Sequence, residues 1–411
     1  RRPHTRCRPS RMERSRHAAP RTAQRGVRMS RAQFDLGARL RAAHTGKPVA
    51  TALYAPVIPP TNGIAVTVDT DGEHTYVTAT DGSSTHAGTD RNGLDALATL
   101  GVNITAPRRP LIVGTAHDLT TLATLARDHR DATASPVIGW WDERLDYPGT
   151  DAVHVVTDAA RRRWTLGVHP DREREVPTWA QWLNITSTGA QQLLDLAYLT
   201  AAGPVLPGIL HASIIDTASW NRYTQRLAAG RPWWIKDTRI DAALGLIGRS
   251  HAAEWYESIR LDDPLVALAA AHDGTVVPGT IIDRSEATIV VAADRPLSRL
   301  RVDSKVTAWV GEPVNAGAVS CLTGSVSAAS IDTDAHLTIT ISGLPRRGGD
   351  LKAGDRLTLR PGRVDPNMQA NARRLAAAGY RRGTNWIAGR GNPVPRRGDV
   401  PLDVIVAAAE G

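Results

Sequence analysis

Between residues 279 and 360 the chain repeats itself. GTIIDRSEATIVVAADRPL (279–297) resembles GSVSAASIDTDAHLTITISGL (324–344), and the strand-like stretches that follow, LRVDSKVTAW (300–309) and LKAGDRLTLR (351–360), resemble each other too. The copies carry β-branched residues in the alternating pattern of half-buried strands. Their offset drifts from 45 to 51 residues, as a few inserted turn residues would produce. Two units of three strands can hide their edges by closing on each other. A small duplicated β-barrel over residues 273–361 is therefore the most specific expectation.

The rest of the chain reads as three further parts, giving an α+β multidomain protein. Residues 29–184 alternate strands and helices, an α/β domain. Ser30 stands where it can cap a helix running toward residue 43. Residues 63–70 and 74–80 form a hairpin around Asp71-Gly72, 93–101 is helical, and 110–115 is a buried strand leading into the helical LTTLATLARDH. Residues 136–141 and 151–158 are read as further strands. Residues 185–272 are a helical domain or connector, with Thr188, Asp216 and Asp237 at N-cap positions and Gly203 and Gly230 just past helix ends. Residues 362–411 are a basic C-terminal extension holding a short helix (367–378), Arg-Gly-Pro-rich loops and a final strand.

Charge needs care. Residues 1–28 hold ten Arg and one Glu, so this Arg/Pro/Ser/His tail carries the whole net charge of +9. It has too little apolar surface to fold, is expected to be disordered, and need not be native. The remaining body is neutral in sum but polarised: residues 345–411 carry thirteen Lys/Arg against six Asp/Glu. A high pI therefore does not by itself mark the folded body as a nucleic-acid binder. Four Lys against 46 Arg, with Phe34 the single Phe, is the composition of a high-GC bacterium, plasmid or phage. No apolar run is long enough to span a membrane, and no secretory signal is visible. Cys7 and Cys321 exclude a disulfide framework and a Cys-based zinc site. A cytoplasmic location follows as the default.

Within the barrel, VPGTIIDRSEATIVVAADRPL followed by a strand and LTGSV, with Asp283 and Ser285 at a D-x-S step after a strand, gives residues 274–343 a resemblance to the PilZ family of cyclic-dinucleotide-binding barrels. Thr288 stands where that family's D-x-S-x-x-G step has Gly. The R-x-x-x-R arm is missing, with only Arg260 near its place. The resemblance implies a barrel, without the arginines that would stack on guanine and hold phosphate.

Three readings of function follow. The leading one is a non-enzymatic, nucleic-acid-associated accessory protein contacting DNA or RNA through Arg373, Arg374, Tyr380, Arg381, Arg382, Trp386, Arg390, Arg396 and Arg397, where Arg pairs and aromatics interleave. It needs no cofactor and no membrane. The alternative is a metal-dependent phosphoryl-transfer enzyme or nuclease. Asp69, Asp71, His117, Asp118 and Asp158 all follow expected strands, where ligands gather in open α/β sheets. If they converged, Asp69, Asp71, Asp118 and Asp158 could hold Mg²⁺, although caps and turns also account for them. A third reading is a scaffold or assembly protein. The eleven Trp, clustered at 140–141, 179/182 and 233–234, either stack bases where exposed or fill the core where Phe is missing. No phosphate-cradling loop and no nucleophile elbow is present.

Overall fold

A computed structural model describes residues 30–317, 320–344 and 351–383. The basic tail, Trp386, Arg390, Arg396, Arg397 and the expected final strand lie outside the described residues. No helix among those described is long and apolar enough to cross a membrane.

The architecture is α+β, as expected. Helix α1 (Arg31–Thr45) starts at a Ser30/Gln33 capping box. Strand β1 (Val49–Ala50) pairs antiparallel with β7 (Trp164–Thr165). The main sheet is built from β2 (Ile64–Thr70), β3 (Thr75–Thr80), β4 (Thr85–Thr89), β5 (Leu111–Val113) and β6 (Val153–Val155), in the order β4-β3-β2-β5-β6. Two successive Asp-Gly turns make β2-β3-β4 a meander. At each turn the Asp carboxylate accepts backbone N–H groups, Asp71 from Glu73 and His74 and Asp81 from Ser83 and Ser84, and the Gly takes positive φ. Strands β2, β5 and β6 run parallel. Helices α2 (Arg91–Thr99), α3 (Ala116–Asp128), α4 (Ser135–Arg144) and α8 (Leu210–Ala228) cover one face, packed on Ile64, Val66, Leu111 and Val113. Helices α5 (Val156–Arg163), α6 (Val176–Trp182) and α7 (Gly189–Ala201) cover the other, packed on Ala65 and Ile112. Parallel strands buried on both faces read as continuous apolar runs, as LIV does here.

Two local expectations are corrected. Residues 136–141 are not a strand but belong to α4, with Pro136 in its first turn. A short apolar run fits either state, and Pro at a helix start decided it. Asp216 is not an N-cap. Helix α8 begins six residues earlier, after the Pro207-Gly208 turn, so Asp216 falls inside the helix and is 0% exposed. Thr188 stands at the N-cap position of α7 without a side-chain capping bond, whereas α9 (Arg239–Arg260) starts from Thr238 rather than Asp237.

The buried Asp216 pairs with Arg144 of α4, itself 4% exposed. Asp216 also accepts from Thr150 Oγ1 (2.7 Å) and Asp151 N (2.9 Å). The Arg144 guanidinium lies 3.6 Å from the Tyr147 ring centroid. Burial pushes the Asp216 carboxyl up, against the pull of Arg144.

Helix α10 (Pro264–Ala270) is capped by Asp263, whose other oxygen accepts from Leu53 N and Tyr54 N. The barrel follows: β8 (Val277–Arg284), β9 (Thr288–Ala293), β10 (Lys305–Val310), β11 (Leu322–Ile331), β12 (Leu337–Ser342) and β13 (Arg356–Pro361), closed in the order β10-β11-β12-β9-β8-β13. This order has pseudo-two-fold symmetry. The second strands pair with each other (β9 with β12), the third strands likewise (β10 with β13), and each unit keeps its own hairpin. The symmetry reaches single residues. Bulges fall between Ile281 and Asp283 and between Val326 and Ala328. Ile281 O accepts from Gly354 N as Val326 O accepts from Asp303 N. Gly279 and Gly324 are equivalent, and a Cβ on either would meet a cross-strand carbonyl at 2.4 or 2.7 Å. Asp283 and Ser285 sit at the end of β8 and in its turn, where Ser285 Oγ accepts from Thr288 N (3.0 Å).

Helix α11 (Pro366–Arg381) packs back on α9, where Gln369 Nε2 donates to His251 O (3.1 Å) and Glu254 Oε2 (3.2 Å).

Removing one member of the Arg144–Asp216 pair strands the other charge in the core, which costs about 3–5 kcal/mol. Asp216→Asn and Arg144→Met are each expected to destabilise by about that amount in urea unfolding, and Asp216→Leu with Arg144→Met by clearly less than the sum. Additive losses would show that the pair is not coupled.

Candidate functional site

The strand-end carboxylates are brought to one edge of the sheet but are engaged separately. Asp71 is consumed by its turn. It accepts from Glu73 N, His74 N (2.8 Å) and Tyr76 Oη (2.7 Å), and these bonds hold it at about 2. Asp118 closes the α3 capping box with Thr115, its carboxylate accepting from Thr115 N at 2.7 Å. Asp158 lies in the first turn of α5, 3.8 Å from Arg161. Asp69 is exposed at the end of β2. Among the described residues no three His, Cys, Asp or Glu side chains gather as an ion would require.

His117 lines a polar pocket of about 470 Å³ with Glu73, Asp90, Asp128 and His129. Asp90, at φ 53°, turns its carboxylate away from the α2 N-terminus. It accepts from Thr75 N (2.8 Å) and holds His74 Nδ1 at 2.7 Å, which raises the pKa of the His74 ring. This arrangement ties the hairpin to α2, and no nucleophile hydrogen-bonds to the pair.

The larger feature is a groove of about 850 Å³ between α4, α8, α9 and the 229–238 loop, with Arg373 of α11 on its wall. Trp234 is 41% exposed there, with the Arg130 guanidinium 5.5 Å from its ring centroid. Trp233 stands edge-on to it (5.9 Å, 87°) and lies against Gly139 of α4, where a Cβ would come within 2.4 Å of the Trp233 ring. The other clustered tryptophans are core: Trp140, Trp141 and Trp179 are fully buried. Three of the groove's basic side chains are answered by carboxylates, Arg127 by Asp142, Arg226 by Glu143 (3.5 Å) and Arg249 by Asp146 (3.7 Å). Arg231, Lys236 and Arg373 have no carboxylate partner among the described residues.

The arginines proposed from sequence are thus divided. Arg373 is half-buried and faces the groove, while Arg374, Arg381 and Arg382 are exposed on and just beyond α11. Tyr380 is buried. Tyr147 and Arg231, which the sequence did not single out, also line the groove and lie far from the Arg-rich segment. The Trp233-Trp234 doublet was the visible signal for this region.

One buried titratable group stands apart. His154 on β6 is 2% exposed, and neither ring nitrogen has a hydrogen-bond partner among the described residues. Burial pushes it down from 6.5 to about 4, with Asp151 opposing. The unfolded chain takes up this proton near pH 6.5 and the folded chain only near 4. Stability is therefore lost as pH falls through that window, by about 3 kcal/mol in full. His154→Leu should abolish this contribution: between pH 7.5 and 4.5 the stability difference between wild type and variant is expected to move by about 2–3 kcal/mol in favour of the variant. A difference that does not change with pH would contradict the assignment.

Compared with protein-family models, with curated proteins and with solved structures, the chain matches none.

Proposed function

We propose that this chain is a nucleic-acid-binding accessory protein that holds single-stranded DNA or RNA in the groove between α4, α8 and α9. The observation that carries the reading is the meeting, on one groove, of the Trp233-Trp234 doublet with Arg373 of the basic C-terminal helix. Strand-binding surfaces combine aromatic platforms for bases with cations that follow the backbone, and each stacked base contributes about 1–3 kcal/mol. Trp234 offers an exposed ring already flanked by Arg130. Arg231, Lys236 and Arg373 offer positive charge with no salt-bridge partner among the described residues, beside Asp237 and Asp241 on the same groove. Helix α11 adds Arg374, Arg381 and Arg382 and has no acidic residue between Pro366 and Arg381. The reading places recognition in the folded body, not in residues 1–28. The resemblance to cyclic-dinucleotide barrels does not enter it, because Ser285 closes its own turn and the phosphate-holding arginines are missing there.

Fluorescence anisotropy with labelled single strands tests this in the full chain and in a chain lacking residues 1–28. Binding is expected to survive the truncation and to weaken steeply with salt. Trp234→Ala should cost about tenfold or more in affinity, and Arg231→Gln with Lys236→Gln should lower the salt slope by about one to two. Loss of all low-salt binding on removing residues 1–28 would overturn the reading.

A further inference from the structure

A second pocket, of about 230 Å³, opens between α1, α10 and the C-terminal ends of α5 and α9. It shares no lining residue with the groove. Packing brings its walls together. Helix α1 lies close on the segment after β7 because Gly167 has no side chain there; a Cβ would come within 2.3 Å of Ala43. Arg39 of α1 fastens the same segment, its guanidinium donating to Leu166 O, Val168 O and the buried Glu173. Phe34 stacks on His272 just beyond α10 (4.5 Å). Besides Arg39, this frame brings four arginines to one wall: Arg31, Arg161, Arg162 and Arg260. Asp35 is the single carboxylate that lines the pocket among the described residues. A helix C-terminus favours cations. That preference accounts for Arg at the ends of α5 and α9, but not for their convergence with α1.

Much of the donor capacity on this wall is uncommitted. Arg162 has no carboxylate or hydrogen-bond partner among the described residues. Its guanidinium lies 5.0 Å from the ring centroid of the buried Tyr256, whose hydroxyl donates to Pro56 O (2.8 Å). Arg161 stands 3.8 Å from Asp158. Arg31 uses Nε alone on Asp35, and Arg260 uses Nη1 alone on Glu257, which leaves further N–H groups of each for a ligand. These three pairs each join residues of one helix near solvent, where ion pairs are weak. Thr51 and Thr165, brought to the pocket by the β1–β7 pair, add two hydroxyls with no partner among the described residues. Four guanidiniums on one small space repel one another unless an anion lies between them. That anion needs several charges and many acceptor oxygens, which a diphosphate has and a single carboxylate lacks. The volume is below the roughly 300–1,000 Å³ of pockets that enclose whole organic ligands, so it fits phosphate groups and not a nucleoside. We propose that this pocket binds a pyrophosphate group, with Arg31, Arg161, Arg162 and Arg260 as its donors. The group arrives as free pyrophosphate or as the diphosphate of a nucleotide whose nucleoside stays outside. The proposal does not rest on the nucleic-acid reading of the groove.

Isothermal titration calorimetry of the full chain with pyrophosphate, ADP, orthophosphate and sulfate tests this. Pyrophosphate is expected to bind at least tenfold more tightly than orthophosphate or sulfate, because only it can engage all four guanidiniums. Arg31→Gln, Arg162→Gln and Arg260→Gln should each weaken it about tenfold. Arg301→Gln, before β10 of the barrel, should change nothing. ADP binding as tight as pyrophosphate or tighter supports a nucleotide diphosphate as the ligand, and weaker ADP binding supports free pyrophosphate. Pyrophosphate binding that all three substitutions leave unchanged would place it elsewhere on the chain and overturn the pocket. Affinity for orthophosphate or sulfate equal to that for pyrophosphate would overturn the diphosphate ligand. No pyrophosphate binding, with single-strand binding weakened by the same substitutions, would overturn the small anion in favour of a nucleic-acid phosphate and leave the groove to be judged by its own variants. Arg31 and Asp35 pair at the surface, so Arg31→Gln decides alone should another variant lose its native circular dichroism.

Discussion

The Arg144–Asp216 pair is the contact on which the groove depends. A carboxylate with no solvent exposure inside α8 is tolerated only because a guanidinium, a hydroxyl and a backbone N–H converge on it. Those partners come from α4 and from the turn before β6, so satisfying one charge fixes α8 against the sheet layer. Trp140 Nε1 donates to Ser219 Oγ (3.3 Å) close by, and the Trp140 and Trp220 rings meet edge to face. The same pair sets the plane of Tyr147, and Gly139 of α4 admits Trp233. Both the polar and the aromatic wall of the groove are thus positioned from α4.

The barrel solves a different problem. Six short strands would leave reactive edges, and closure removes them. The duplication supplies closure through symmetry, with equivalent bulges bending β8 and β11 at the same place in each unit. The copies have diverged where the barrel meets the helices. Trp309 on β10 corresponds to Arg360 on β13, and Arg360 donates to Ser258 O (2.9 Å) and pairs with Asp262 (3.0 Å). One copy keeps an apolar residue at this position, and the other provides a buried ionic dock onto the end of α9 and the residues just beyond it.

What the sequence revealed follows the range of the interactions involved. The Asp71-Gly72 hairpin, the Ser30 cap, the β5–α3 unit and the duplicated barrel were legible because each depends on residues within a few positions or on a repeated pattern. Strand β4 was missed because THAGT is short and mostly polar. Helix α4 was misread because six apolar residues carry no period, and Asp216 because an Asp-Thr step imitates a cap when the preceding Pro-Gly start is overlooked. One long-range meeting in the groove wall was invisible for a plainer reason. Tyr147 and Arg373 come together over Gly248 only through packing, and nothing local in the sequence marks that glycine. The strand-end aspartates show a pattern with more than one use: Asp71 is engaged by its turn and Asp118 by a helix cap, whereas Asp69 is exposed and Asp158 lies near Arg161.

The groove unites features that looked unrelated along the chain, an aromatic doublet, a basic helix and a buried ion pair. The most direct test is photo-crosslinking of a bromouracil-substituted single strand to the full chain, with the attached peptides mapped by mass spectrometry. Cross-links at Trp233-Trp234 and Tyr147 are expected if the strand lies between α4, α8 and α9. Cross-links confined to residues 1–28 or to the barrel would contradict that placement.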